Sequence, residues 1–200
     1  VLVSGDLGST LSSPAALVVL LRPIIAQGPI AQTVVEGGTA VLSVSVTPST
    51  LPLTYRWFRN NLPFTNMTLG AYSSFLVLPA VELSDNATYR VGITNLAGVS
   101  TPSFSSAVPL TVLADSDRDG LPNVWEEAHE LRSDDPSDAL ADPDQDQMNN
   151  WQEYLAGTDP SDPVSFLRIE ALRINPDSTS VKISFIARSN RTYAIEHRGL

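Results

Sequence analysis

The chain has no cysteine. That excludes disulfides, thiolate metal sites and a cysteine nucleophile. It does not exclude secretion. Histidine is nearly missing too, with only His129 and His197. His129 falls on an acidic stretch predicted to be helical and His197 lies near the end of the chain, so neither belongs to a credible nucleophile–base–acid triad. No glycine loop of the kind that cradles phosphate is present. Long apolar runs are absent as well. The run from Ala16 to Leu21 has six residues, whereas a membrane-spanning helix needs about 20. The run is therefore expected to be a buried strand, and no membrane-spanning segment or signal peptide is read. No enzymatic centre is expected. The chain is expected to be a piece of a longer, multi-domain protein.

Positive charge is scarce where negative charge is dense. From Ala114 to Pro163 eleven Asp and four Glu face only Arg118 and Arg132. That segment carries −13, which leaves +3 for the rest of a chain whose net charge is −10. A block of this sign repels nucleic acid and anionic membrane and attracts cations.

What the sequence does have is period-two alternation. Ala40, Leu42, Val44 and Val46 alternate with Val41, Ser43, Ser45 and Thr47. Leu76 and Leu78, then Val91 and Ile93, continue the pattern. Short strands with turn residues between them predict a β-sandwich. Val1 to Ser9 also resembles Val91 to Val99, each followed by a Ser/Pro stretch and an apolar segment (Ala16 to Leu20 and Val108 to Leu113). The expected organisation is mainly β. Residues 1–22 form the last hairpin of a preceding sandwich, 23–113 a sandwich of their own, and 114–163 a short connector of loops and helices bearing Trp125 and Trp151. Residues 164–200 open a further β-domain, through Phe166, Ile169, Leu172, Ile174, Val181, Ile183, Phe185, Tyr193 and Ile195.

Within 23–113 the order of landmark residues is telling. Pro29 and Val35-Glu36-Gly37-Gly38 read as a first strand and its turn, and Tyr55-Arg56-Trp57-Phe58-Arg59-Asn60 as a strand with a core tryptophan. Leu76, Leu78, Val81, Asp85, Ala87, Tyr89 and Val91 then follow at fixed offsets. The segment resembles a bacterial immunoglobulin-like domain of the intermediate type. The resemblance implies a corner tyrosine at Tyr89, its hydroxyl bonded to backbone near Asp85. It also places Val44 and Val91 where the family carries bridging cysteines. Two buried valines fill the same space and contribute roughly 1.5–3 kcal/mol each. The stretches Pro48–Pro52 and Asn60–Ala71 read as loops, where a protein or polysaccharide partner could be held.

The acidic segment has a register. Asp115, Asp117 and Asp119 occupy positions 1, 3 and 5 of a twelve-residue loop. Gly120 stands at the sharp turn, the Leu121 carbonyl at position 7 and Glu126 at position 12. This is the oxygen-ligand spacing of a calcium loop, because Ca²⁺ takes six to eight oxygens and alternate spacing turns the carboxylates inward. A second loop repeats it with Asp142, Asp144, Asp146, the Met148 carbonyl and Glu153, and Asn150 near position 9. Gln147 there replaces the glycine. Composition alone would favour a disordered acidic linker, but the register and the two position-12 glutamates argue for Ca²⁺. Paired carboxylates of a glycosidase explain them less well.

Each loop leads into a short helix and an Asp-Pro-Ser-Asp tail, at Asp135 and at Asp159. The pair resembles bacterial thrombospondin type 3 repeats. A dockerin, with two near-equal segments, fits less well, as does a calmodulin-type hand, which needs a helix before the loop. The resemblance implies that Asp135 and Asp159 add ligands, while the first unit departs from the pattern, with Arg132-Ser133-Asp134 ahead of its tail and a helix expected to be about one turn longer. Calcium ions are the expected partners. The function implied is a structural or adhesive segment of a secreted or cell-surface protein, stiffened by Ca²⁺. Alternatives are a non-catalytic accessory region of a secreted hydrolase and a dockerin-like assembly module.

Overall fold

The computed structural model describes residues 1–14, 16, 18–98, 100–174, 181–188, 193 and 194. Its strands are β1 (Leu2–Gly5), β2 (Gly8–Leu11), β3 (Ile25–Gln27), β4 (Gln32–Val35), β5 (Ala40–Val46), β6 (Leu53–Arg59), β7 (Leu62–Leu69), β8 (Ser73–Leu78), β9 (Ala87–Thr94), β10 (Ser103–Phe104), β11 (Val108–Leu113), β12 (Ile169–Ile174) and β13 (Val181–Phe185). The helices are α1 (Asn123–Ala128) and α2 (Asn150–Ala156), with 3-10 turns at Leu83–Asp85 and Asp138–Leu140. The protein is mainly β, as the alternation predicts. The larger sheet has the order β4-β11-β9-β6-β7 with β10 on β9, and a smaller sheet has the order β3-β5-β8.

Two compact units share the chain, and their segments interleave along it. The first takes Val1–Ile30, Leu42–Leu76 and Thr88–Val108. In it β6 is the central strand. It pairs antiparallel with β7 on one side and with β9 on the other, setting Trp57 opposite Val91. Pleating sends alternate residues to opposite faces, so Tyr55, Trp57, Tyr89, Val91 and Ile93 are all fully buried and Val44 nearly so. The valine pair and the core tryptophan thus sit inside, as expected. β7 occupies part of the stretch expected to be a loop. Its seven residue pairs with β6 tie it into the sheet, and its largely exposed residues and Pro63 suit an edge strand.

β1 and β2 form a hairpin, as expected for the first residues, with every side chain exposed. The apolar run after it is not the buried strand expected. Among its described residues no strand forms, and Val18, Val19, Leu20 and Leu21 are 75, 70, 43 and 55 % exposed. Only Leu21 is tied there, its N–H donating to the Thr50 hydroxyl and its carbonyl accepting from Thr50 N–H and Asn95 Nδ2.

The second unit takes Ala31–Val41, Val77–Ala87 and Pro109–Leu200. Here β11 runs parallel to β4, Leu110 against Gln32 through Leu113 against Val35. Asn86 clamps β11, accepting from Val112 N–H at 2.8 Å and donating to the Val112 carbonyl at 3.2 Å. The acidic loops and both helices follow. β12 and β13 pair antiparallel. Tyr193 donates its hydroxyl to the Ala156 carbonyl at 3.0 Å. The side chains of Leu172, Ile174 and Val181, and Ile195 entirely, lie outside the described residues.

Candidate metal centre

The two acidic loops share the hydrogen bonds of their first aspartate, of their position-7 amide and of their base. In the first, Asp115 accepts from Arg118 N–H at 2.8 Å and Gly120 N–H at 3.0 Å. In the second, Asp142 accepts from Gln145 N–H at 2.8 Å and Gln147 N–H at 3.0 Å. Each loop is closed at its base by the position-9 amide, Asn123 N–H to Ala114 carbonyl and Asn150 N–H to Ala141 carbonyl, both 2.9 Å. Left-handed backbone recurs at matching places: Arg118 at φ 65° and Gln145 at 63°, Gly120 at 96° and Gln147 at 81°. The turn therefore demands positive φ where Gln147 replaces glycine, at a cost of about 1–2 kcal/mol for a residue with a Cβ.

Carboxylate oxygens of each loop converge, those of Asp115 and Asp142 already accepting these bonds and others left over. In the first loop an oxygen from each of Asp115, Asp117 and Asp119 falls within 4.8 Å of the others. A second overlapping group joins Asp119 to Glu126 and Asp138. In the second loop Asp142, Asp144 and Asp146 cluster the same way. Ligand oxygens at about 2.3–2.6 Å from one Ca²⁺ lie no more than about 5 Å apart, so the spacing fits one ion per loop. Leu121 and Met148 are fixed at position 7 by their own N–H bonds to Asp119 and Asp146, at 2.7 and 2.8 Å.

Burial makes the arrangement costly without a cation. Glu126 and Glu153 are both 0 % exposed, and neither oxygen of either side chain has a hydrogen-bond partner. Both oxygens of Asp117 and one each of Asp119, Asp138, Asp144 and Asp146 are buried and unpartnered too. An uncompensated buried carboxylate costs several kcal/mol. Burial, then the neighbouring Asp117, Asp119, Asp138 and Asp115 carboxylates, push Glu126 up to about 7 from the ordinary 4.5. Burial does the same to Glu153, with the charges of Asp144, Asp146 and Asp159 adding to it and the nearby Thr158 hydroxyl opposing it. Asp119 and Asp144 are also raised, chiefly by burial.

Asp138 is the residue the sequence reading missed. The tail aspartate expected to add a ligand, Asp135, is turned onto Ser137, accepting its hydroxyl at 2.6 Å, which lowers its pKa. Asp159 is turned onto Ser161 at 2.8 Å in the same way. Asp138 instead accepts from Arg132 N–H at 2.8 Å with one oxygen and sends the other to Glu126. The signal was the final Asp of Asp-Pro-Ser-Asp, three residues beyond the one singled out. The first helix is not the longer one either. α1 has six residues and α2 seven. Four residues past each glutamate stands a left-handed residue, Glu130 with φ 61° and Gly157 with φ 74°, and the next N–H returns to that glutamate's carbonyl. The first unit's extra residues therefore lie in the loop after its helix.

Comparison with known proteins bears on the sandwich. The family model described as immunoglobulin domain matches residues 22–95. That segment is an immunoglobulin-like domain. The muscle M-line assembly protein unc-89 of Caenorhabditis elegans is 32 % identical over 126 residues, which is 57 % of this chain and 2 % of that protein. The chain thus spans a small fraction of the relative's length. Among solved structures, a titin I-band fragment, I67–I69, is similar over 48 % of this chain and 34 % of its own, at 21 % identity and a TM-score of 0.42. Titin M4 is similar over 48 % and 99 %, at 19 % identity and a TM-score of 0.41.

Proposed function

We propose that this chain is a non-catalytic segment of a multi-domain structural or adhesive protein, in which residues 114–163 bind two calcium ions. One observation carries the reading: two wholly buried glutamates have no hydrogen bond to either oxygen, Glu126 where it converges with Asp119 and Asp138, and Glu153 where it feels the charges of Asp144 and Asp146 from the clustered second loop. The first ion takes Asp115, Asp117, Asp119, Glu126 and Asp138, with the Leu121 carbonyl. The second takes Asp142, Asp144, Asp146 and Glu153, with the Met148 carbonyl. Metal ions supply positive charge that those oxygens otherwise lack. With it, the loops close and the helices bearing Trp125 and Trp151 are held. Without it, mutual repulsion loosens the segment.

The bacterial thrombospondin type 3 reading belongs to this proposal, as does a secreted or cell-surface location. Extracellular calcium modules work at about 10⁻⁴–10⁻³ M, which suits a stiffening element outside the cell. The immunoglobulin-like domain supports a role in protein contacts. Thermal unfolding followed by tryptophan fluorescence tests the proposal. Millimolar Ca²⁺ should raise the melting temperature of the acidic segment over that in EDTA, and Glu126→Gln should shrink the rise. Identical melts in calcium and EDTA would remove the reading.

A further inference from the structure

We infer that the two ions bind as a coupled pair, with Asn150 as the positioning residue between their sites. The inference rests on the calcium reading above. Asn150 belongs to both halves of the segment. Its backbone N–H closes the second loop at Ala141, and it is the first residue of α2, three positions ahead of Glu153. Its side chain points the other way along the chain. Nδ2 donates to the backbone carbonyl of Asp138 at 2.8 Å, and Asp138 is the residue whose carboxylate joins Glu126 and Asp119 in the first site. Asn150 is 0 % exposed, so water does not compete for that bond. Ala139, next to Asp138, is 2 % exposed.

Further contacts run in parallel. The indole of Trp151 lies against Gly120 at the turn of the first loop, its Nε1 3.0 Å from where a Cβ would stand. Trp125 of α1 meets Tyr154 of α2 edge-on, with ring centroids 5.4 Å apart. Drawing Asp138 onto the first ion therefore fixes the carbonyl that holds Asn150, and with it the helix that presents Glu153. The free energy spent ordering these shared parts is spent once, so the ion that binds second meets a site already built. Coupling of this kind is reciprocal: each site must change the other's affinity by the same factor.

Calorimetric titration of Ca²⁺ into the full chain tests it, using wild type, Glu126→Gln, Glu153→Gln and Asn150→Ala. Glutamine keeps the shape of each glutamate while removing its charge. Coupling predicts that Glu126→Gln weakens the surviving second site about tenfold and that Glu153→Gln weakens the first by the same factor, within the 5–150-fold usual for such links. Asn150→Ala should reduce both effects, and in the Glu126→Gln background it should weaken the second site by a smaller factor than it does alone. A purely structural asparagine would give neither the matched factors nor this non-additivity. If each surviving site keeps its wild-type affinity within about twofold, coupling is overturned while the calcium reading stands. If the wild-type chain takes up no calcium, the calcium reading itself fails. Should Asn150→Ala not fold, the two glutamine variants decide the matter alone.

Discussion

Glu126 and Glu153 bring negative charge to places with no exposed surface, and no hydrogen bond holds either carboxylate. Their folded pKa of about 7, against an ordinary 4.5, gives a signed prediction. Without calcium the folded state holds these protons more tightly than the unfolded state does. The resulting stability is complete below pH 4.5 and disappears as pH rises through 7. The calcium-free chain should therefore melt at a higher temperature at pH 5 than at pH 8. Saturating calcium should reverse the order, because protons and Ca²⁺ compete for the same oxygens. Melts at the two pH values, in EDTA and in calcium, measure both signs. At Trp57 the expectation is simpler. Its ring is fully buried between strands, so Trp57→Ala should cost about 3–5 kcal/mol in urea unfolding.

The elements show what the sequence made legible and what it did not. Strands β5 and β8 declared themselves through period two, because one face of each is buried and the other is largely not, while β6 was read from its resemblance to a strand with a core tryptophan. β7 hid, since an edge strand exposed on both faces can mix apolar and polar side chains in runs and leaves no alternation to read. The run from Ala16 to Leu21 misled for the opposite reason: apolar composition was present without a partner strand to pair it. The loops were legible because calcium chemistry dictates residue type at fixed spacing. Asp138 was not, because its arrival at Glu126 depends on the path of the chain after Glu130, which no local pattern encodes.

Gln147 and Gly120 test the loop geometry directly. Both hold left-handed φ, and only Gly120 does so without strain. Gln147→Gly should tighten the second site and stabilise the chain by about 1 kcal/mol, read by denaturant unfolding and calcium titration. Gly120→Ala should weaken the first site, since φ 96° disfavours a Cβ and Trp151 lies only 3.0 Å from it.

At the scale of the whole chain, charge is segregated. The acidic segment carries −13 and the rest +3, so the part that repels itself is the part that needs an ion. The immunoglobulin-like domain has a conventional apolar core and no such need. Calcium should therefore protect the acidic segment far more than the domain, and hydrogen exchange with and without EDTA should place the difference at residues 115–159. The central claim is the pair of ions, and equilibrium calcium binding to the full chain by calorimetry tests it most directly. Two ions per chain at millimolar calcium, falling to one in either Glu126→Gln or Glu153→Gln, is the predicted result. No heat beyond dilution, or uptake that neither glutamate alters, would contradict it.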